Sequence, residues 1–400
     1  MDNRYMPPLL TNKELSEALS VLPPYDPCIR NASSAERLIE LSRLYEVYVP
    51  SPMSAEIYCK LYLALLRSLQ KKQTKATNAQ GYINKQGISN GIIGGSDSFT
   101  VISNSGLGKT SAISRAISLI APKSIIITEE PYARIAPIIT VQTPYDCSVK
   151  GLLLEILREV DKALDTEYCS YAIKSRATTD ALIGTVSNVC LHSVGLLVLD
   201  EFQNVCGKNG NNLMGVLLNL INSSGISVAM VGTLETKAFF SNATFQMSRR
   251  SLGLEFGSLP LDHYFYSLCR VLTSYLYVQN DFVLTDDIVQ WLHTHSNGIT
   301  SVVVSLIHDA MELAILDGSE TLSIASLKKA YNQRLTLLHK HIDIKPVRHS
   351  SIKQSIDTIA PILEVVSENF ISATLKRVKE SGEDIVSLLG GQIAIVEVQI

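Results

Sequence analysis

The residues Gly108, Lys109 and Thr110 close the stretch "VISNSGLGKT" in the order that a phosphate-binding loop needs. Such a loop cradles phosphate oxygens with successive backbone N–H groups, helped by the partial positive charge at the start of the following helix. Gly106 and Gly108 let the backbone come close, with no Cβ in the way. Lys109 reaches for the β- and γ-phosphates, and the Thr110 hydroxyl is a ligand for Mg²⁺. The expected contact with ATP therefore runs through Ser105, Gly106, Leu107, Gly108, Lys109, Thr110 and Ser111. One position departs from G-x-x-x-x-G-K-[ST]: the first glycine should fall at residue 103, and Ser103 stands there. Ser103 is expected to add either a Cβ with some backbone strain or a hydroxyl that caps the turn.

A phosphate loop needs acidic partners. "GLLVLDEFQN" is an apolar strand ending in Asp200 and Glu201. Asp200 suits the Mg²⁺ shell, and Glu201 can take a proton from an attacking water or orient it. "VAMVGT" is another buried run, ending on Thr233. If its strand lay between the two nucleotide strands, that hydroxyl would sit near the γ-phosphate. "FQMSRRSLGL" carries Arg249 and Arg250 just before the last core strand. Either arginine could face the nucleotide of a neighbouring subunit and neutralise developing charge, or the pair could be solvated surface residues.

These groups must be held by a scaffold, and the chain supplies one. From Phe99, apolar β-branched runs alternate with amphipathic helical stretches: "SFTVIS", then "SAISRAISLIAP", then "SIIIT" and "IITVQT" with "EEPYARIAP" between them as an irregular hairpin. "CSVKGLLLEILREVDKAL", "TTDALIGTVSNVCLHSV" and "NLMGVLLNLINSSG" read as helices. This alternation predicts an α/β fold with a mainly parallel, doubly wound sheet over residues 98–260. Residues 1–97 read as a helical N-terminal region, with a capping pattern at Ser34 and a linker from "QTKATNAQ" onward. Residues 261–341 read as four helices, an all-α lid, and 342–400 as a tail suited to a partner.

Composition narrows the class. Hydrophobic residues are 46% and charged residues 18% of 400, which is globular rather than disordered. The net charge of -3 gives no global basic signal for nucleic acid, yet a local basic stripe remains compatible with it. The seven cysteines form no C-x-x-C pair, as expected of reduced thiols in a cytoplasmic protein. The start "MDNRYMPPLL" lacks the basic and apolar order of a secretory signal. No apolar run reaches the roughly 20 residues that span a bilayer, so no membrane partner is expected.

The order of phosphate loop, "LLVLDE", "MVGT", paired arginines and helical lid resembles AAA+ P-loop ATPases. More narrowly, "TPYDCSVKGLLLEILREVDKAL", "VAMVGTLETKAFF", "SRRSLGLEF" and "SNGITSVVVSLIHDAMELAI" resemble the TnsC-type (TniB-related) regulators of heteromeric DNA transposons. The resemblance implies an ATPase that assembles as a homo-oligomer, ring or helical filament, on double-stranded DNA in the bacterial nucleoid. It implies a target-selection protein (TniQ/TnsD-like), in some relatives CRISPR-associated, that hands over a site, and transposase subunits that are recruited and activated. It also implies DNA contacts from loops and helix starts, for which Lys150, Lys174 and Arg176 are the residues here. Thr300 stands where many AAA+ lids carry a sensor arginine, so slow hydrolysis used as a switch is expected. A nucleotide-locked scaffold, a helicase loader and a replication initiator remain the alternatives.

Overall fold

The computed structural model describes residues 5–83, 98–129, 132–145, 148–205, 215–217, 219–221, 224–237 and 251–335. All of these belong to one compact unit, Met1–Ile344. The second unit, Lys345–Ile400, and with it the reading of the tail, lies outside the described residues.

The elements follow in chain order. The N-terminal part holds α1 (Asn12–Leu19), α2 (Ser34–Leu41) and α3 (Pro52–Ile83). The middle holds β1 (Ser98–Ser103), α4 (Lys109–Ile120), β2 (Ile126–Glu129), β3 (Tyr132–Gln142) and α5 (Val149–Leu164). Then come α6 (Tyr168–Lys174), α7 (Thr179–Ser193), β4 (Val194–Asp200), β5 (Ser227–Gly232) and β6 (Ser251–Phe256). The lid helices are α8 (His263–Ser274), α9 (Asp286–Ser296), α10 (Thr300–Leu316) and α11 (Ile324–Ala330).

The sheet order is β2-β3-β4-β5-β1-β6. All neighbours are parallel except β2 and β3. Continuous apolar runs suit strands covered on both faces, and β1, β4 and β5 are buried at every residue. One face packs on α5 and α7, the other on α3 and α4. The expected doubly wound α/β sheet is thus present, and β5 does lie between the strands that carry Ser103 and Asp200.

Four local expectations change. The capping residue is Ser33, one position earlier than expected: its hydroxyl accepts from Glu36 N and its N–H donates to Glu36 Oε2. Helix α3 continues through "QTKATNAQGYI", so the segment read as linker begins as helix. The expected hairpin is present as a regular antiparallel pairing of β2 with the start of β3, Ile126 opposite Ile135, and "YARIAPIITVQ" is one continuous strand. Pro137 gives it no ladder donor, and the facing Gly195 has no Cβ, which would fall 2.3 Å from the Pro137 carbonyl. Helix α6 was not expected from the sequence. Among the described residues, no single helix is long and apolar enough to cross a membrane.

The N-terminal part divides its packing. Leu15, Leu19, Ile57 and Leu61 join Val101 and Ala116 of the α/β core. Leu41 and Leu44 join Phe265, Leu306 and Ala310 of the lid.

Candidate nucleotide site

The phosphate loop leaves β1 at Ser103 and turns twice through left-handed backbone, Gly106 at φ +81° and Gly108 at φ +83°. Only glycine adopts this readily. Helix α4 starts at Lys109 with no side-chain cap at Gly108, which leaves its first N–H groups for a ligand. Ser103 is fully buried and has no positive φ, so it brings no strain of the kind expected. Its hydroxyl donates to the Asn104 carbonyl at 3.2 Å.

Lys109 folds back over the loop. Its Nζ donates to Asn104 O at 2.9 Å and Ser103 O at 3.1 Å. Burial pushes the ammonium's pKa down, and the Glu201 and Asp200 carboxylates partly restore it.

Strand order brings the acidic strand end to the same edge. Thr110 Oγ1 donates to Asp200 Oδ2 at 2.9 Å, across 90 residues of sequence. Asp200 is buried, and its Oδ1 accepts from Glu201 N at 2.8 Å. Glu201 holds φ +53°, a rare conformation for a residue with a side chain. Thr233 follows β5, and its Oγ1 is buried with no hydrogen-bond partner. An orphaned hydroxyl at the end of β5, the Thr110–Asp200 pair at the neighbouring strand ends and open space at Gly108 make a set of groups that fits a Mg²⁺–nucleotide.

Other predicted residues fall as follows. Ser105 and Ser111 are exposed, and Leu107 is buried. Lys150 lies in the first turn of α5, whose N-cap is Ser148. Lys174 ends α6 and Arg176 follows it. All three are exposed, and none forms an ion pair among the described residues. Arg249 and Arg250 lie outside the described residues.

Sequence reasoning missed three contacts. Gln203 bridges Glu201 and Thr233. Thr143, just past β3, donates both N–H and hydroxyl to the Asp200 carbonyl. Third, the lid reaches the loop: Thr300 Oγ1 at 2.9 Å and Ser301 N at 3.1 Å both donate to Gly106 O. The sequence signal for the first was the Gln–Asn pair at 203 and 204, separated by two residues from the apolar strand that ends at Asp200.

Residues 95–254 match the family model described as Bacterial TniB protein. Over that stretch the chain is TniB-like. The TniB match takes in the phosphate loop, Asp200, Glu201, Thr233 and both arginines, and ends before the lid. No curated protein matches the chain. Among solved structures it is similar to the Aeropyrum pernix ORC2 protein in its ADPNP–ADP complexes (16% identity, TM-score 0.39, covering 66% of this chain and 67% of that one). It is similar also to the Aeropyrum pernix ORC1 protein in complex with DNA (13%, 0.42, 82% and 79%). A third is domain III of the Thermotoga maritima replication initiation protein DnaA (13%, 0.37, 78% and 97%). These likenesses are loose, and the site stands on this chain's own residues. The TniB-like stretch folds as a mainly parallel α/β sheet with the glycine loop after β1, and a group of helices follows it.

Proposed function

We propose that this protein is an ATP-dependent regulator of DNA transposition. It assembles on duplex DNA as a ring or filament, takes a site from a target-selection protein, recruits transposase subunits, and hydrolyses ATP slowly as a switch. The observation that carries the nucleotide reading is the Thr110–Asp200 bond at 2.9 Å beside the partnerless Thr233 hydroxyl. The transposition reading is supported by the TniB match.

Each residue then has a task. Backbone N–H groups from Ser105 to Ser111 hold phosphate oxygens, and Lys109 leaves its two loop carbonyls to meet them. Thr110 and Asp200 would hold Mg²⁺, which when bound offsets charge on the β- and γ-phosphoryl oxygens. Glu201 accepts the proton of the attacking water or orients it, and Thr233 hydrogen-bonds beside it. Arg249 or Arg250 reaches a neighbouring subunit's site. Lys150, Lys174 and Arg176 meet DNA phosphates, which demand positive charge and donors but no sequence.

Glu201→Gln tests the hydrolytic part. It should keep nucleotide affinity and lower turnover by about 100-fold or more. Unchanged turnover would leave a nucleotide-locked scaffold instead.

A further inference from the structure

The Gln203 side chain makes two bonds at once. Its Oε1 accepts from Thr233 N at 3.2 Å, and its Nε2 donates to Glu201 Oε2. The first bond fixes the second. A backbone N–H only donates, so the amide oxygen must face Thr233 and the amide nitrogen must face the carboxylate. One side chain therefore ties the carboxylate at the end of β4 to the backbone at the end of β5, its sheet neighbour.

The surroundings make room for this tie. Gly232 ends β5, and a Cβ there would lie 3.1 Å from Gln203 Oε1 and 2.8 Å from Thr236 Cγ2. The Glu201 main chain is already held: its N–H donates to Asp200 Oδ1 and its carbonyl accepts from Asn204 N at 3.0 Å. The side-chain direction is the freedom left, and Gln203 takes it. A purely structural role for Gln203 is less economical, because Asn204 already anchors this short turn through Nδ2 to Thr143 O at 2.8 Å.

We propose that Gln203 is a positioning residue that sets the Glu201 carboxylate against the Thr233 end of β5, so that both address one water. This rests on reading Glu201 as the group that handles that water. The Gln203 amide neither gives nor takes the transferred proton; it fixes where the accepting oxygen stands.

The test is steady-state ATP turnover by the full chain with duplex DNA, alongside affinity for a fluorescent ATP analogue. Gln203→Ala, Glu201→Gln and the double variant are compared, with thermal melting as a check on folding. Gln203→Ala should lower kcat about tenfold, the worth of one hydrogen bond to a charged group, with KM and analogue affinity within about twofold. In the Glu201→Gln background it should cost nothing further. Gln203→Glu keeps the acceptor for Thr233 N but sets a second carboxylate against Glu201, and should be at least as slow. Normal or faster turnover by Gln203→Ala overturns the proposal, as does an equal loss in both backgrounds. If Glu201→Gln alone is unimpaired, the base assignment itself falls and takes this proposal with it. If Glu201→Gln is slow and Gln203→Ala is normal, only the role of Gln203 falls.

Discussion

Glu201 and Arg176 share an uncommon backbone, each at φ +53°. For Arg176 the setting is plain. It follows α6 in a Schellman-type stop, with Arg176 N donating to Ile173 O and Ala177 N to Ala172 O, where glycine is the usual occupant. An exposed arginine there gains nothing in folding, which favours a role for its charge. Arg176→Gly should therefore keep or raise Tm while weakening duplex DNA binding and lowering its salt slope by about one. Unaltered DNA affinity would make it an ordinary surface residue. Ser103→Gly is the opposite case. Ser103 is buried and unstrained, so glycine should destabilise by about 0.5–1 kcal/mol and change nucleotide affinity by less than about threefold, read by melting and by analogue titration. At this scale the sequence was most legible where spacing is local, as in Gly108, Lys109 and Thr110. Gln203 and Thr233 lie 30 residues apart and meet only because β5 inserts beside β4. No local pattern could announce that meeting.

Elements were legible by periodicity and obscured by punctuation residues and by long-range contacts. Pro137 reads as a strand breaker, yet β3 passes through it because Gly195 opposite leaves space. The linker read from "QTKATNAQ" onward starts as helix, since α3 continues to Ile83. Within α3, Lys72 caps the terminus of another helix, α7, through the Cys190 and Leu191 carbonyls. The lid's position is likewise a tertiary fact. The first residues of α10 hold Gly106 O, so the lid sits on the phosphate loop. Thr300→Val removes one of these two bonds, worth about 1 kcal/mol. Hydrogen exchange of the backbone around residues 298–303 should then quicken roughly fivefold. Gly106→Ala is harsher, since its Cβ would fall 2.4 Å from Ser301 Oγ and its φ is +81°. It should abolish analogue binding.

Across the molecule, the N-terminal part clasps both the α/β core and the lid. Arg115 donates to Leu19 O and Ala18 O on the core side. On the lid side Arg37, only 2% exposed, forms a bidentate pair with Glu320 and donates to Tyr277 O. Removing one partner of a buried pair costs about 3–5 kcal/mol, so Arg37→Met should lower Tm clearly at neutral pH. The Arg37 guanidinium holds the Glu320 carboxyl below its ordinary value. That stabilisation is complete above the unfolded carboxylate value near 4.3 and fades as pH falls through the lowered folded one. The Tm gap between wild type and Arg37→Met should therefore narrow on acidification below about pH 4. None of this clasp was legible in sequence, because Arg37 and Glu320 are 283 residues apart. On the proposed function, nucleotide held at this site controls assembly on DNA. Fluorescence anisotropy of labelled duplex DNA, titrated with the full chain, tests it most directly. With Mg²⁺ and a slowly hydrolysed ATP analogue, binding should be steep and cooperative; without nucleotide, or with Lys109→Ala, it should be lost. Equal binding with and without nucleotide, or by Lys109→Ala, would contradict the account.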